Sequence, residues 1–126
     1  MPVNTNPVDY SPEACPPEFA RSFLSDGGSS FLLRPSYDVW SLGLAFYNLS
    51  TGRGYFDGRN PKAITKFLGG GGGGGGGGIY VGGIEEKRLR ALVKSCLQTD
   101  PKKRPNINSI LLHPFFTTTG IGTWSF

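Results

Sequence analysis

Histidine, cysteine and methionine are scarce in this chain, and long apolar runs are absent. One histidine, two cysteines and one methionine occur among 126 residues. The cysteines, Cys15 and Cys96, sit in apolar settings without metal-ligand spacing, and His113 stands alone, which excludes a zinc site of the usual kind. Two buried thiols in a reducing compartment is the reading of the cysteines. A disulfide would require them to meet in space, which spacing does not reveal. No apolar stretch approaches the ~18 residues that a membrane-spanning helix needs. The opening MPVNTNPVDYSPE has neither a basic region nor an apolar core, so it does not read as a signal peptide. The expectation is an intracellular, cytoplasmic protein with no membrane partner.

Charge is modest. Thirteen Lys and Arg against nine Asp and Glu give +4. Much of the excess lies in Lys87, Arg88, Arg90, Lys94, Lys102, Lys103 and Arg104. An anionic partner is one reading; a solvated helix face and turn is the preferred one, because a small net charge chiefly affects solubility and weak association.

Glycine and proline are what the chain has in plenty, at 20 and 10 residues. Gly69 to Gly78 is an unbroken glycine run. It has no side chains to bury and a high ordering entropy, so it adds nothing to a core and reads as a surface-loop insert between two helices. A chain of this size permits one domain, burying about 65% of its unfolded surface. Prolines at positions 2, 7, 12, 16 and 17 make residues 1–18 extended loop. Residues 19–24 suit a short helix, and Ser25 to Ser30 is a flexible loop by composition.

Tyr37 to Leu49 reads YDVWSLGLAFYNL, with apolar residues on every face. Ser36 suits the cap, Asp38 suits the first turn, and Thr51-Gly52 suits the stop. A helix apolar all round is buried all round, so this one belongs at the centre of a helical core. Asn60-Pro61 opens another helix through Leu68. Glu85 to Leu97 is amphipathic, with Leu89, Leu92, Val93, Cys96 and Leu97 on one face. Asp100-Pro101 breaks it. Asn106 caps a last short helix through Leu112, and His113-Pro114 closes that helix, His113 reading as its C-terminal cap. Strand signals are weak, so the fold class is mainly α.

Four segments, in order, resemble the protein kinase family. YSPEACPPE, Tyr10 to Glu18, is similar to the Ala-Pro-Glu end of the activation segment, with Pro16 in place of the alanine. DVWSLG, Asp38 to Gly43, resembles the Asp-x-Trp-Ser-x-Gly motif of the central helix. GYFDGRNPKAITKFL, Gly54 to Leu68, resembles the Pro-Phe-x-Gly turn and the helix after it. CLQTDPKKRPNINSILLHPFF, Cys96 to Phe116, resembles the Leu-x-x-Asp-Pro-x-x-Arg-Pro segment and the His-Pro-Phe-Phe ending of serine/threonine kinases. Singly each is weak; in the family's order they are specific. The resemblance implies the lower half of a kinase-like C-lobe over residues 1–116, with the glycine insert at 69–78 and a tail over 117–126.

The resemblance also assigns jobs. It pairs Glu18 with Arg104 as a buried ion pair, a role that suits a planar guanidinium. It has Asp38 hydrogen-bond a catalytic loop that this chain lacks, leaving Asp38 an unpaired acid or a helix-dipole partner. Trp40 and Gly43 belong to the central helix, Trp40 as core in preference to a docking aromatic. Ser11, Glu13 and Ala14 become the candidate substrate-binding residues. Ser11 stands where these kinases carry a threonine that bonds the catalytic aspartate; read locally, it is a turn serine before Pro12. Tyr10 and Ala14 depart from the family's glycine and aromatic.

Phosphoryl transfer needs a nucleotide cradle, metal ions and a base. The sequence has no His-Arg-Asp, no Asp-Phe-Gly, and no glycine-rich turn between strands; the glycine run matches that pattern trivially and in the wrong place. The expectation is no catalytic residue, cofactor or metal in this chain, with ATP and magnesium bound by a complete parent kinase. Three functions follow: part of a serine/threonine kinase, a remnant kinase fold kept as an interaction module, or a basic nucleic-acid binder. The last needs Arg or aromatics interleaved with glycine, and the run has none. The partner expected is a protein or the remainder of the domain, not a nucleic acid.

Overall fold

The structure, a computed structural model, describes residues 11–70 and 78–118. Tyr10, Gly71 to Gly77 and most of the 117–126 tail lie outside the described residues. The expectation of a surface loop for the glycine run therefore falls largely on positions that the structure does not describe.

Six helices follow one another: α1 (Pro17–Asp26), α2 (Pro35–Thr51), α3 (Pro61–Leu68), α4 (Lys87–Cys96), α5 (Ile107–Leu111) and α6 (Pro114–Thr118). Short 3-10 turns over Pro12–Ala14 and Pro101–Lys103 complete the regular structure, and no strand occurs among the described residues.

Local chemistry accounts for most boundaries. Asn60 accepts from the Ala63 N–H at 2.8 Å and Asn106 from the Ser109 N–H at 2.8 Å, each satisfying an orphan donor at a helix start. Gly52 ends α2 in the left-handed region at φ 77°, where a side chain would be strained. Four boundaries differ from expectation. Helix α1 begins at Pro17, because proline at the first helical position gives up only an N–H with no intrahelical partner. Ser36 does not cap α2; Pro35 is already helical and Arg34 holds the cap position. Helix α4 starts at Lys87, because the Glu86 carboxylate turns back to accept from the Arg88 and Leu89 N–H groups. Leu112, not His113, caps the end of α5, and His113 opens the next helix: its Nδ1 accepts from the Phe115 N–H at 3.0 Å, and α6 follows. The loop after α1 is organised by Asp26, whose carboxylate accepts from Ser30 Oγ at 2.6 Å and the Gly28 N–H at 2.9 Å. The Ser30 hydrogen bond leads in holding that carboxyl below its usual range.

The core lies along α2. Trp40, Leu44 and Tyr47 pack with Phe19 and Ala20 of α1, Ile64 and Leu68 of α3, and Val93 of α4. A second cluster joins Val39 to Leu92, Cys96 and Ile110, flanked by Phe46, Phe115 and Phe116. Gly43 lets α2 and α4 approach: a Cβ there would stand 2.8 Å from Cys96 Cβ and 2.9 Å from Leu97 Cδ2. The expectation that α2 is buried all round does not hold among the described residues. Ala45 and Leu49 are exposed, Leu49 at 81%, and Leu42 is half-buried. Residues 42, 45 and 49 follow a 3–4 spacing, so they form one stripe along the helix. Packing in this chain covers the opposite side of α2 and leaves that stripe open.

Candidate functional site

Arg104 is the node of the molecule. It closes the Pro101–Lys103 turn, a turn fixed by the Asp100 carboxylate accepting from the Lys102 N–H at 2.9 Å. Its side chain is wholly buried, while that of Glu18 keeps 17% exposure. Nη1 and Nη2 donate to the two Glu18 carboxylate oxygens, each at 2.7 Å, across 86 positions of sequence. Nη1 also donates to the Ser36 carbonyl at 3.0 Å, and Nε to the Gln98 carbonyl at 2.8 Å. The guanidinium lies 5.1 Å from the Trp40 ring centroid. One side chain thereby links the start of α1, the start of α2, the exit of α4 and the turn before α5. The parallel fork to a carboxylate is the arrangement that guanidinium geometry favours. The Glu18 position follows from Pro17, which starts α1 and sets the acid in its first turn.

The loop ahead of α1 is held against α2. Ser41 Oγ donates to the Ala14 carbonyl at 2.7 Å. Within the loop, the Ala14 N–H donates to the Ser11 carbonyl at 2.9 Å. Ser11 and Glu13 are exposed and Ala14 half-buried, while Cys15, Pro16 and Pro17 beneath them are buried. The loop thus stands on an apolar footing with its polar members facing out. Burial, reinforced by the Glu18 and Glu13 charges, pushes the Cys15 thiol up to about 12. Burial also pushes the Cys96 thiol up to about 11. Both thiols are free, buried and neutral, the state of inert structural cysteines.

A groove of about 430 Å³ runs past the start of α2, with Pro35, Asp38, Val39, Leu42 and Ile107 in its walls and Arg104 at its floor. Asp38 is exposed and has no hydrogen-bond or ion-pair partner among the described residues. Trp40 is fully buried, and its Nε1 finds no acceptor among the described residues.

Of the residues singled out from the sequence, Glu18, Arg104 and Trp40 come together at one node, and Gly43 sits at the α2–α4 contact. Ser11, Glu13 and Ala14 form a separate loop joined to α2 through Ser41. Asp38 faces the groove. Sequence reasoning missed Ser41, Ser36 and Gln98. Ser41 lies inside the DVWSLG motif and so carried a signal, but the Ser36 and Gln98 carbonyls are backbone groups and carried none. Among the described residues, no group of three His, Cys, Asp or Glu side chains is placed to hold a metal ion, and no helix is long and apolar enough to cross a membrane.

A helical base built around one central helix, fastened by a buried carboxylate–guanidinium fork below a proline-rich loop, is the lower half of a protein-kinase-like C-lobe. Known proteins agree. The chain is 38% identical over 79 residues to the probable serine/threonine-protein kinase nek3 of Dictyostelium discoideum, a match covering 62% of this chain and 6% of that protein. It is 33% identical over 89 residues to the probable serine/threonine-protein kinase CCRP1 of Zea mays, covering 71% of this chain and 13% of that one. It is 33% identical over 79 residues to human Tribbles homolog 1, covering 63% and 20%. No protein-family model matches the chain. The chain corresponds to the C-terminal part of a protein-kinase-like domain, and it spans a fifth or less of the length of these three relatives.

Proposed function

We propose that this chain is the structural base of a serine/threonine protein kinase domain and that the chemistry belongs to residues outside it. The observation that carries this reading is the Glu18–Arg104 fork. It fastens the segment after Ser11, Glu13 and Ala14 to the helical base, as a loop that must present a peptide in one position requires. In this reading Ser11, Glu13 and Ala14 contribute to a peptide-binding surface, and a complete parent binds ATP and magnesium through parts that these 126 residues do not contain. The chain alone is not competent for phosphoryl transfer. Its partner is the remainder of the domain, which covers the open stripe of Leu42, Ala45 and Leu49.

The test is to read the transcript upstream of the Met1 codon. In-frame sequence carrying His-Arg-Asp and then Asp-Phe-Gly ahead of Tyr10 is the expected result. A stop codon with no such sequence would overturn the kinase reading. The exposed stripe, with Leu49 at 81% exposure, would then favour a second reading, in which the kinase-like base is kept as a protein-interaction module.

A further inference from the structure

A cavity of about 560 Å³ lies between the C-terminal end of α2 and the segment that leads into α4. Tyr47 and Thr51, which line it, sit one turn apart on the face of α2 opposite Leu42, Ala45 and Leu49. The cavity is therefore separate from the stripe assigned above to the remainder of the domain. Three polar groups in its walls are unpaired. Tyr47 is only 7% exposed, yet its hydroxyl has no hydrogen-bond partner among the described residues. That hydroxyl lies 3.6 Å from where a Cβ on Gly83 would stand, and Gly83 is itself a wall residue. A buried phenol ordinarily finds a partner. The side chains of Arg53 and Glu85 are exposed on the rim, and among the described residues they pair neither with each other nor with any other group. The neighbouring charges are engaged. Glu86 caps α4 through the Arg88 and Leu89 N–H groups, and Arg90 Nη1 donates to the Ile84 carbonyl at 2.9 Å.

We propose that this cavity binds a small zwitterion, an amino acid or a short peptide with free ends, with its carboxylate on Arg53 and the Tyr47 hydroxyl and its ammonium on Glu85. A ligand of one charge sign would meet a partner and an opponent together. A ligand that carries both signs gives each rim charge its complement. The guanidinium and the phenol are both donors, so they can share one carboxylate, while an ammonium has only donors and needs the Glu85 acceptor. Ile84, Leu89 and the Tyr47 ring supply apolar wall for a small apolar side chain. The volume falls within the roughly 300–1,000 Å³ typical of small-ligand pockets. This inference goes beyond the kinase reading above and does not depend on it.

Calorimetric titration of the full 126-residue chain with L-alanine and with L-alanyl-L-alanine tests it. The expected result is saturable binding of one molecule per chain, and the tighter of the two shows whether the ligand is a free amino acid or a peptide. Blocking either charge, as the N-acetyl form or the C-terminal amide, should weaken binding about tenfold or more, the loss expected of a hydrogen bond between charged groups. Arg53→Gln should erase the preference for a free carboxylate, and Glu85→Gln the preference for a free ammonium. Both residues are exposed, so the fold persists in these variants. Tyr47→Phe should weaken binding several-fold and leave the ligand-free melting temperature no lower than the parent's. Its ring still meets that of Tyr55, 5.3 Å away, and the hydroxyl has no partner to lose. No saturable heat with either ligand overturns the proposal. So does binding that ignores the blocking groups, or binding that survives all three substitutions unchanged. A ligand-free Tyr47→Phe that melts lower also overturns it, because the hydroxyl would then serve the fold.

Discussion

At the scale of single residues, stability is concentrated on Arg104. Its wholly buried side chain donates to Glu18, Ser36 and Gln98. Removing one partner of a buried pair strands the other charge, at a cost of about 3–5 kcal/mol. Arg104→Ala should exceed Glu18→Ala in urea denaturation, because it also orphans the Ser36 and Gln98 carbonyls. Arg104→Lys should recover little, since an ammonium cannot reproduce the parallel fork. Replacing both residues by apolar ones of similar size should cost less than either single truncation. Single variants that unfold at the parent's urea midpoint would contradict the role given to the pair. The cysteines set a pH dependence. Burial raises Cys15 to about 12 and Cys96 to about 11, from an ordinary thiol value of 9.0. The unfolded chain therefore releases these protons first, and the stability that the neutral thiols provide is complete below that ordinary value. It is lost as pH climbs from about 9 toward about 12. Cys15→Ala should flatten that alkaline loss. An equal slope for parent and variant between neutral and alkaline pH would contradict it.

At the scale of elements, close approach and caps decide the packing. Gly43→Ala would push a Cβ to 2.8 Å from Cys96 Cβ. The Leu97 side chain can turn aside, but a Cβ moves only with its backbone, so α2 and α4 must separate. A cost of about 1–3 kcal/mol is expected from such overpacking, read as a lower melting temperature. A variant as stable as the parent would show that the two helices yield without loss. Asn106→Ala should cost about 1 kcal/mol through the lost cap on α5, checked by the same measurement. These two sites also show what the sequence made legible. Asn60, Asn106 and Gly52 were readable because a cap depends on a few neighbouring residues. Pro17 was misread as loop, because proline's bar on helices applies to their interior and not to their first position. His113 was read only as a terminator, because the side chain that opens α6 also follows α5. The Glu18–Arg104 pairing came from the resemblance, since nothing local joins positions 86 apart. The open stripe on α2 was invisible for a related reason. An apolar helix announces how much surface must be covered, while the neighbours within this chain determine how much is.

At the scale of the whole molecule, the described residues form the helical base of a kinase-like C-lobe. Its six described helices enclose Trp40 and hold the Ser11–Ala14 loop in place, yet they leave Leu42, Ala45 and Leu49 of the central helix uncovered or half-covered. An exposed apolar stripe along the central helix is unusual for a self-sufficient domain. It fits a piece whose relatives are several times longer. The pieces that bind nucleotide in a kinase, a glycine-rich turn between strands and the metal-binding acids, are not in the sequence. Calorimetric titration of the purified chain with ATP and magnesium is the most direct test of this account. It predicts heats of dilution alone and no phosphate incorporated from labelled ATP. Saturable binding at one nucleotide per chain, or autophosphorylation, would contradict it.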